Sequence, residues 1–246
     1  MKHIVIVGAT SAIAEQCARL WLAQEPARLV LLARDAGRVA RLATDLRVRH
    51  PQAAIETVAA DFDDAQAIAA QVAAIVAHAP VDIVLIAHGW LPDQTGCQQD
   101  IACCRQALLI NGVSPLLYAE AFAQHMERAG HGRLALIGSV AGDRGRKSNY
   151  IYGAAKGMVA RYAEGLQHRF AASGVRVVLV KPGPTATPMT AHMPGQGSMA
   201  SAAEVALRIV RGVERGQAVV YAPPRWRLIM WVIRHLPAVV FNRLDI

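Results

Sequence analysis

The sequence predicts an α/β fold, a single doubly wound parallel sheet of about seven strands flanked by helices. Three observations predict it. Short, wholly apolar runs recur along the 246 residues, as strands buried on both faces require. Stretches with apolar residues three and four apart separate these runs, the repeat of helices packed on one side. A glycine, Gly8, closes the first run where the first helical stretch is about to begin.

Each element follows in order. Ile4 to Val7 reads as a buried strand. Ala12 to Gln24 reads as a helix, with Ile13, Cys17, Leu20 and Trp21 at helical spacing. Leu29 to Ala33 is a second strand, Ala36 to His50 a charged helix, and Ile55 to Ala59 a third strand. A helix from Ala65 to Ala77 leads to a strand from Val81 to Ala87. The second half repeats the theme: one long helical pattern from Ile101 to Arg128, a strand from Leu134 to Gly138, a helix from Tyr150 to Ser173, and a strand from Val175 to Val180. Ser201-Ala202-Ala203-Glu204 reads as a capping box opening another helix, and Ala218 to Tyr221 is the last strand. Strands alternating with helices make a parallel sheet. Residues 1–222 are expected to form this domain, with 223–246 as an apolar, basic extension.

Composition bounds the function classes. Apolar residues make up 54% and charged residues 18%, so a globular core is expected rather than disorder. The net charge of +8 favours anionic partners or a solvated basic surface. No nucleic-acid-binding motif accompanies it. Cys17, Cys97, Cys103 and Cys104 form no C-x-x-C pair and no zinc-like spacing with histidine. They read as free thiols in a reducing cytoplasm. The N-terminal run lacks the pattern of a signal peptide, and no stretch is apolar for the roughly 18 residues of a membrane-spanning helix.

Ligands of such sheets sit beyond the carboxyl ends of the strands. After the first strand, Gly8-Ala9-Thr10-Ser11-Ala12-Ile13-Ala14 is a turn of small residues entering a helix N-terminus. The unpaired amides and dipole of that terminus suit a pyrophosphate, although a tight turn with no ligand would look similar. After the second strand stand Arg34 and Asp35. An acid here accepts hydrogen bonds from an adenosine ribose, and an arginine accommodates a 2′-phosphate. Asp35 can equally cap the next helix, and Arg34 can be a solvated surface charge.

Tyr152 and Lys156 are four apart on an expected helix and share a face. A free tyrosine, with a pKa of about 10, is a poor base at neutral pH, and a nearby ammonium is expected to lower that value. The pair suits moving a proton on or off an alcohol or ketone oxygen. Ser139 lies thirteen residues before Tyr152, just after a strand. Its hydroxyl can hydrogen-bond the same oxygen. Asn111, in an apolar helical stretch, needs a reason for being there, because asparagine is a poor helix former.

In this arrangement the chain resembles the short-chain dehydrogenases/reductases of the Tyr-x-x-x-Lys type over about residues 2 to 222. The resemblance implies a Rossmann-type fold and a catalytic set of Asn111, Ser139, Tyr152 and Lys156. Asn111 would hold a water linking Lys156 to solvent. It implies NADP(H) as cofactor, with Arg34 as the reason for the phosphorylated form. The implied cofactor contacts are Gly8, Thr10, Ser11, Ala12, Ile13, Arg34, Asp61, Phe62, Ala87, Gly89, Tyr152, Lys156, Pro182 and Gly183. Asp61 would meet the adenine ring, with a helix N-cap as its other reading. Thr187 would meet the nicotinamide carboxamide, with Thr185 as the alternative. Residues 189–200 match the family's substrate lid. The implied activity is NADP(H)-dependent interconversion of a ketone and a secondary alcohol; the rival is a regulator that senses NADP(H) without turnover. A homo-oligomer, dimer or tetramer, is implied because the family usually pairs its long helices between subunits.

The sequence departs from the family in two places. Ala12 and Ala14 replace the second and third glycines of its G-x-x-x-G-x-G turn, and alanine disfavours positive φ. Ala87-His88-Gly89 stands where the family usually shows N-N-A-G, which leaves His88 open to a catalytic role or to ordinary turn hydrogen bonding. The tail is unlike a typical family ending: Arg225, Arg227 and Arg234 accompany Trp226, Trp231 and the run Leu228 to Ile233. This composition suits peripheral contact with a membrane, a partner subunit or the active site. The tail and the Ala-His-Gly turn are also similar to those of reductases acting on lipid-linked keto-sugars, which implies a small-molecule or lipid-linked carbonyl or alcohol substrate.

Overall fold

The computed structural model describes residues 1–193 and 195–244. Pro194 of the expected lid, and Asp245 and Ile246 of the tail, lie outside the described residues. The first half runs β1 (Lys2–Val7), α1 (Ala12–Gln24), β2 (Ala27–Ala33), α2 (Ala36–Arg49), β3 (Ala54–Ala59), α3 (Ala65–Val76) and β4 (Ile83–Ile86). Then come α4 (Gln94–Gln99), α5 (Ile101–Leu108), a π turn (Leu109–Val113), α6 (Ser114–Ala129), β5 (Gly132–Ile137), α7 (Tyr150–Arg169) and β6 (Val175–Pro182). The last part holds a short parallel pair, β7 (Thr185–Ala186) and β8 (Ala200–Ser201), then α8 (Ala202–Glu214), β9 (Val219–Ala222), α9 (Arg225–His235) and α10 (Ala238–Phe241).

Seven strands form one parallel sheet in the order β3-β2-β1-β4-β5-β6-β9. The chain steps outward from β1 to β3, then returns to place β4 on the other side of β1. That reversal opens a crevice at the carboxyl ends of β1 and β4.

Successive strand residues point to opposite faces, and both faces are apolar here. Ile4 and Ile6 join Trp21 of α1, Leu46 of α2 and Ile209 of α8 in one core layer. Val5 and Val7 join Ile68 of α3, Phe122 of α6 and Val159 of α7 in the other. Burying one such large side chain contributes about 1.5–3 kcal/mol. The short runs are therefore wholly apolar because helices cover them on both sides.

The helix starts are set by local acceptors. Asp35, Asp64 and Asp100 each accept a first-turn amide, from Arg38, Gln66 and Ala102. Ser201 Oγ accepts from the Glu204 amide at 3.1 Å, as the expected cap for α8.

Two expectations are corrected in the segment after β4. The long helix from Ile101 to Arg128 is two helices joined by the π turn. Pro115 at the start of α6 has no amide to give to the carbonyl of residue 111, so the regular ladder is interrupted there. The reading of all four cysteines as free thiols is also overturned, because Cys97 and Cys103 form a disulfide. Asp100 ends α4 and starts α5, and this break folds the two cysteines to a Cα–Cα separation of 5.1 Å. A sequence search for C-x-x-C pairs misses a bond across a helix break. Cys17 and Cys104 remain free thiols; the argument for a reducing compartment does not hold for the bonded pair.

Candidate active site

A continuous cleft runs along the carboxyl ends of the strands. One end is lined by Gly8, Thr10, Ser11, Ala12, Ile13, Arg34, Phe62, Ala87, Gly89 and Thr187. The other is lined by Ser139, Tyr152, Lys156, Pro182, Gly183 and Thr185, with Ser11, Ile13, Ala87, Gly89 and Thr187 common to both. The crevice thus gathers residues scattered along the chain from Gly8 to Thr187.

At the first end the Gly8 turn is built for close approach. Gly8 has φ +81°, and a Cβ there would lie 2.4 Å from the His88 amide nitrogen. Among the described residues, none other than glycine has positive φ. Ala12 and Ala14 are already in α1, so their replacement of glycine costs no left-handed strain. Ser11, the N-cap of α1, makes no side-chain cap hydrogen bond, unlike the aspartates that start α2, α3 and α5. The N-terminus of α1 therefore keeps its orphan amides and a free hydroxyl facing the cleft, which suits a phosphate.

Arg34 is exposed, with its guanidinium 5.5 Å from the centre of the Phe62 ring. Arg38, one turn into α2, lines the same cleft and donates to the Thr10 carbonyl at 3.5 Å. Sequence reading missed Arg38: Arg34 precedes the N-cap Asp35, so no helical spacing links the two arginines, and only the fold brings both to the cleft. Asp35 is committed to capping α2, which leaves the arginines as the charged groups of this corner.

Asp61 stands apart. It is exposed, and its Oδ1 accepts from the amides of Asp63 and Asp64 at 2.8 and 3.2 Å, which holds its carboxyl below the usual range. It borders a shallow surface beside Arg34 and Phe62 rather than lining the main cleft. Asp64, not Asp61, is the N-cap of α3.

His88 is 6% exposed and stacks on Phe62 with ring centres 4.2 Å apart. Its Nε2 lies 3.0 Å from Ser114 Oγ. Burial, with the charges of Lys156 and Arg34, pushes its pKa down to about 3. The ring is therefore uncharged at physiological pH. Its role here is to pack the floor of the cleft beneath Gly8.

The catalytic candidates converge at the end of β5. Ser139 follows that strand and its Oγ accepts from the Ala141 amide at 3.1 Å. Its hydroxyl also interacts with the Tyr152 phenol on α7. Lys156, one turn after Tyr152, is 2% exposed and donates from Nζ to the Ile137 carbonyl at 2.9 Å. Nζ is 5.8 Å from the centre of the Tyr152 ring. Asn111 sits in the π turn behind Gly89. Its Oδ1 accepts from the Trp90 amide at 2.7 Å and its Nδ2 donates to the Ala107 carbonyl at 2.9 Å. The break in the helix is what lets a buried asparagine satisfy both ends.

The expected lowering of the Tyr152 pKa by Lys156 is not observed. Burial pushes the phenol up to about 12, and the Ser139 hydroxyl only partly offsets it. Burial likewise pushes Lys156 down to about 8. Desolvation is the leading cause for both groups.

Thr187 lines both ends of the cleft, whereas Thr185 is 5% exposed and donates from Oγ1 to the Gly183 carbonyl at 2.9 Å. Between β6 and the catalytic wall, Lys181 pairs with Asp143, and Tyr221 donates to the same carboxylate at 2.8 Å. This buried pair stands directly before the Pro182-Gly183 turn.

Comparison with known proteins identifies the family. The family model described as short chain dehydrogenase matches residues 2–196. An uncharacterized oxidoreductase of Mycobacterium tuberculosis is 33% identical over 242 residues, covering 98% of this chain and 96% of that protein. Galactitol 2-dehydrogenase (L-tagatose-forming) of Cereibacter sphaeroides is 32% identical over 190 residues, covering 76% and 73%. In fold, the chain is similar to a short chain dehydrogenase from Burkholderia cenocepacia solved in complex with NADP, at 18% identity and TM-score 0.83 over 100% of both chains. With a family model matched over most of its length and a relative 33% identical over 98% of it, the chain belongs to the short-chain dehydrogenase/reductase family of oxidoreductases.

Proposed function

We propose that this protein is an NADP(H)-dependent oxidoreductase that interconverts a ketone and a secondary alcohol, with an apolar or lipid-linked substrate. The observation that carries the reading is the convergence of Ser139, Tyr152 and Lys156 on one wall of a cleft whose far end holds Arg34 and Arg38. The residues fit the dinucleotide: the small residues Gly8, Thr10, Ser11 and Ala12 line the cleft, and the α1 N-terminus has no side-chain cap of its own. Thr10, Ser11 and the first amides of α1 would hold the pyrophosphate, Arg34 with Arg38 the 2′-phosphate, and Thr187 the carboxamide. Asp61 is kept as a contact at the adenine edge. When bound, the nicotinamide supplies or accepts the hydride.

The chain's own residues manage the proton. With its pKa at about 12, Tyr152 is protonated at neutral pH and can give its proton to the substrate oxygen as negative charge develops there. Ser139 holds the same oxygen by its hydroxyl. Lys156, still an ammonium at neutral pH, offsets the phenolate left behind and is kept in place by the Ile137 carbonyl. Asn111 fixes the Gly89-Trp90 backbone beside it. In the reverse direction each proton step runs backward.

Leu91, Val140 and Met189 line the substrate half, which favours an apolar substrate. The relationship to galactitol 2-dehydrogenase supports chemistry at a carbinol carbon. A homo-oligomer paired through α6 and α7 belongs to the same proposal, supported by the exposed Val113 and Met158 beside those helices; equilibrium sedimentation tests it.

The test is Tyr152→Phe. Turnover of a responsive ketone with NADPH should fall by about 10²- to 10⁴-fold, with NADPH affinity within about threefold of the parent. Unchanged activity in that variant would overturn the mechanism. An unmodified protein that binds NADPH but turns over no member of a broad carbonyl panel would favour the cofactor-sensing regulator instead.

A further inference from the structure

We infer that the C-terminal helices form a docking surface for an anionic lipid bilayer, with α9 lying in the headgroup layer. The starting observation is that α9 is apolar on two opposite faces. Trp226, Met230 and Ile233, spaced i, i+4 and i+7, turn toward the protein. Met230 is fully buried, and the Trp226 ring lies so close over Gly183 that no Cβ fits between them. Arg146 Nη2 reaches Met230 Sδ at 4.0 Å. Arg144 fastens the end of the helix: it donates to the carbonyls of Ile233 and Leu236, and its guanidinium lies 3.7 Å from the Phe241 ring of α10.

The opposite face has no such partner. Leu228, Trp231 and Val232, at i, i+3 and i+4, are 68%, 61% and 47% exposed, with His235 of the same helix against the Trp231 ring at 5.0 Å, and Val239 of α10 is 69% exposed. Exposed apolar side chains grouped on one helix face mark an interaction surface.

Charge selects the occupant. Residues 223–244 carry Arg225, Arg227, Arg234 and Arg243 and no carboxylate side chain; the tail's single acid, Asp245, lies outside the described residues. By helical spacing Arg227 and Arg234 run along the border between the two faces of α9. A second copy docked on this face would set the same patch against itself, arginines facing arginines, with no acid among the described residues of either tail. Anionic headgroups supply the missing charge while acyl chains accept Leu228, Val232 and the Trp231 ring. At 11 residues α9 is too short to cross a bilayer, and no helix among the described residues is long and apolar enough to do so. The surface therefore lies on a membrane. Because the inner face of α9 touches Gly183 and Arg146, docking would hold the substrate end of the cleft next to the lipid.

The experiment is co-sedimentation of the full chain with vesicles of phosphatidylcholine alone and of phosphatidylcholine with phosphatidylglycerol. Binding to the anionic vesicles only is expected, falling by about tenfold or more as salt rises from about 0.05 to about 0.5 M. The double variant Leu228→Ser, Trp231→Ser spares the inner face. It should lose roughly tenfold or more in partition, with melting temperature and oligomeric state unchanged. Three results would overturn the inference: no binding by the unmodified chain, equal binding by the folded double variant, or a change of oligomeric state in that variant without vesicles, which would assign the face to a second copy. The readout is vesicle partition, so it is independent of the proposed redox reaction.

Discussion

Replacing Arg34 by alanine tests the cofactor assignment most directly. Arg34, just before α2, and Arg38, in its first turn, line the same end of the cleft, and the carboxylate between them, Asp35, is engaged as the α2 cap. A charge-assisted hydrogen bond to a phosphate is worth about 1.5–3 kcal/mol. Arg34 is exposed, so solvent screening holds its contribution to the lower end, about tenfold in affinity. Arg38 remains in the single variant, and the two effects should roughly add when both are removed. NADPH affinity should therefore fall about tenfold in Arg34→Ala and about a hundredfold in the double variant with Arg38→Ala, while NADH affinity moves by less than about threefold. Titration of nucleotide fluorescence measures all six constants, and the NADPH preference should shrink with added salt. Equal affinities for NADPH and NADH in the unmodified protein, or a preference that survives the double substitution, would refute the reasoning.

Three further outcomes follow from the geometry. His88 has a folded pKa of about 3 against an ordinary 6.5, so below pH 6.5 the unfolded chain binds a proton that the folded chain refuses. Stability is lost as pH falls from about 6.5 toward 3, by about 2 kcal/mol at pH 5, and a denaturant titration of His88→Asn should show a flatter acid limb than the parent. Gly8→Ala combines a φ of +81° with a Cβ 2.4 Å from the His88 backbone; melting temperature and NADPH affinity should both drop, the latter by about tenfold or more, and an alanine variant unchanged in both would show that the cradle is not tight. Asp143→Ala strips the buried partner of Lys181, whose side chain is 7% exposed; a loss of about 3–5 kcal/mol is expected in urea unfolding, and a loss under about 1 kcal/mol would mean that Lys181 does not depend on this partner.

Where local pattern and global packing agree, the fold can be read from the chain. The alternation of apolar runs with helical spacing is enough to give seven parallel strands and their order of appearance, because each run must be dry on both faces. Gly8, Ser139, Tyr152 and Lys156 are legible for a similar reason: each chemistry stands immediately after a strand or one turn apart on a helix, so position along the sequence already implies position in the crevice. What stays hidden depends on contacts between distant segments or on breaks in regular structure. The π turn at Asn111 arises from Pro115, and its purpose appears only when Trp90 and Ala107 close on the asparagine. The Cys97–Cys103 bond requires the kink at Asp100. The high pKa of Tyr152 is decided by burial, which no spacing of tyrosine and lysine reveals. The two faces of α9 are distinguished in the same way: the composition of the tail shows that its apolar surface needs covering, but only the docking of Trp226 on Gly183 and of Arg144 on the helix end decides which face the protein covers and which it leaves outside. Sequence determines which surfaces must leave water, since that is a property of each side chain, whereas their pairing depends on the path of the whole chain.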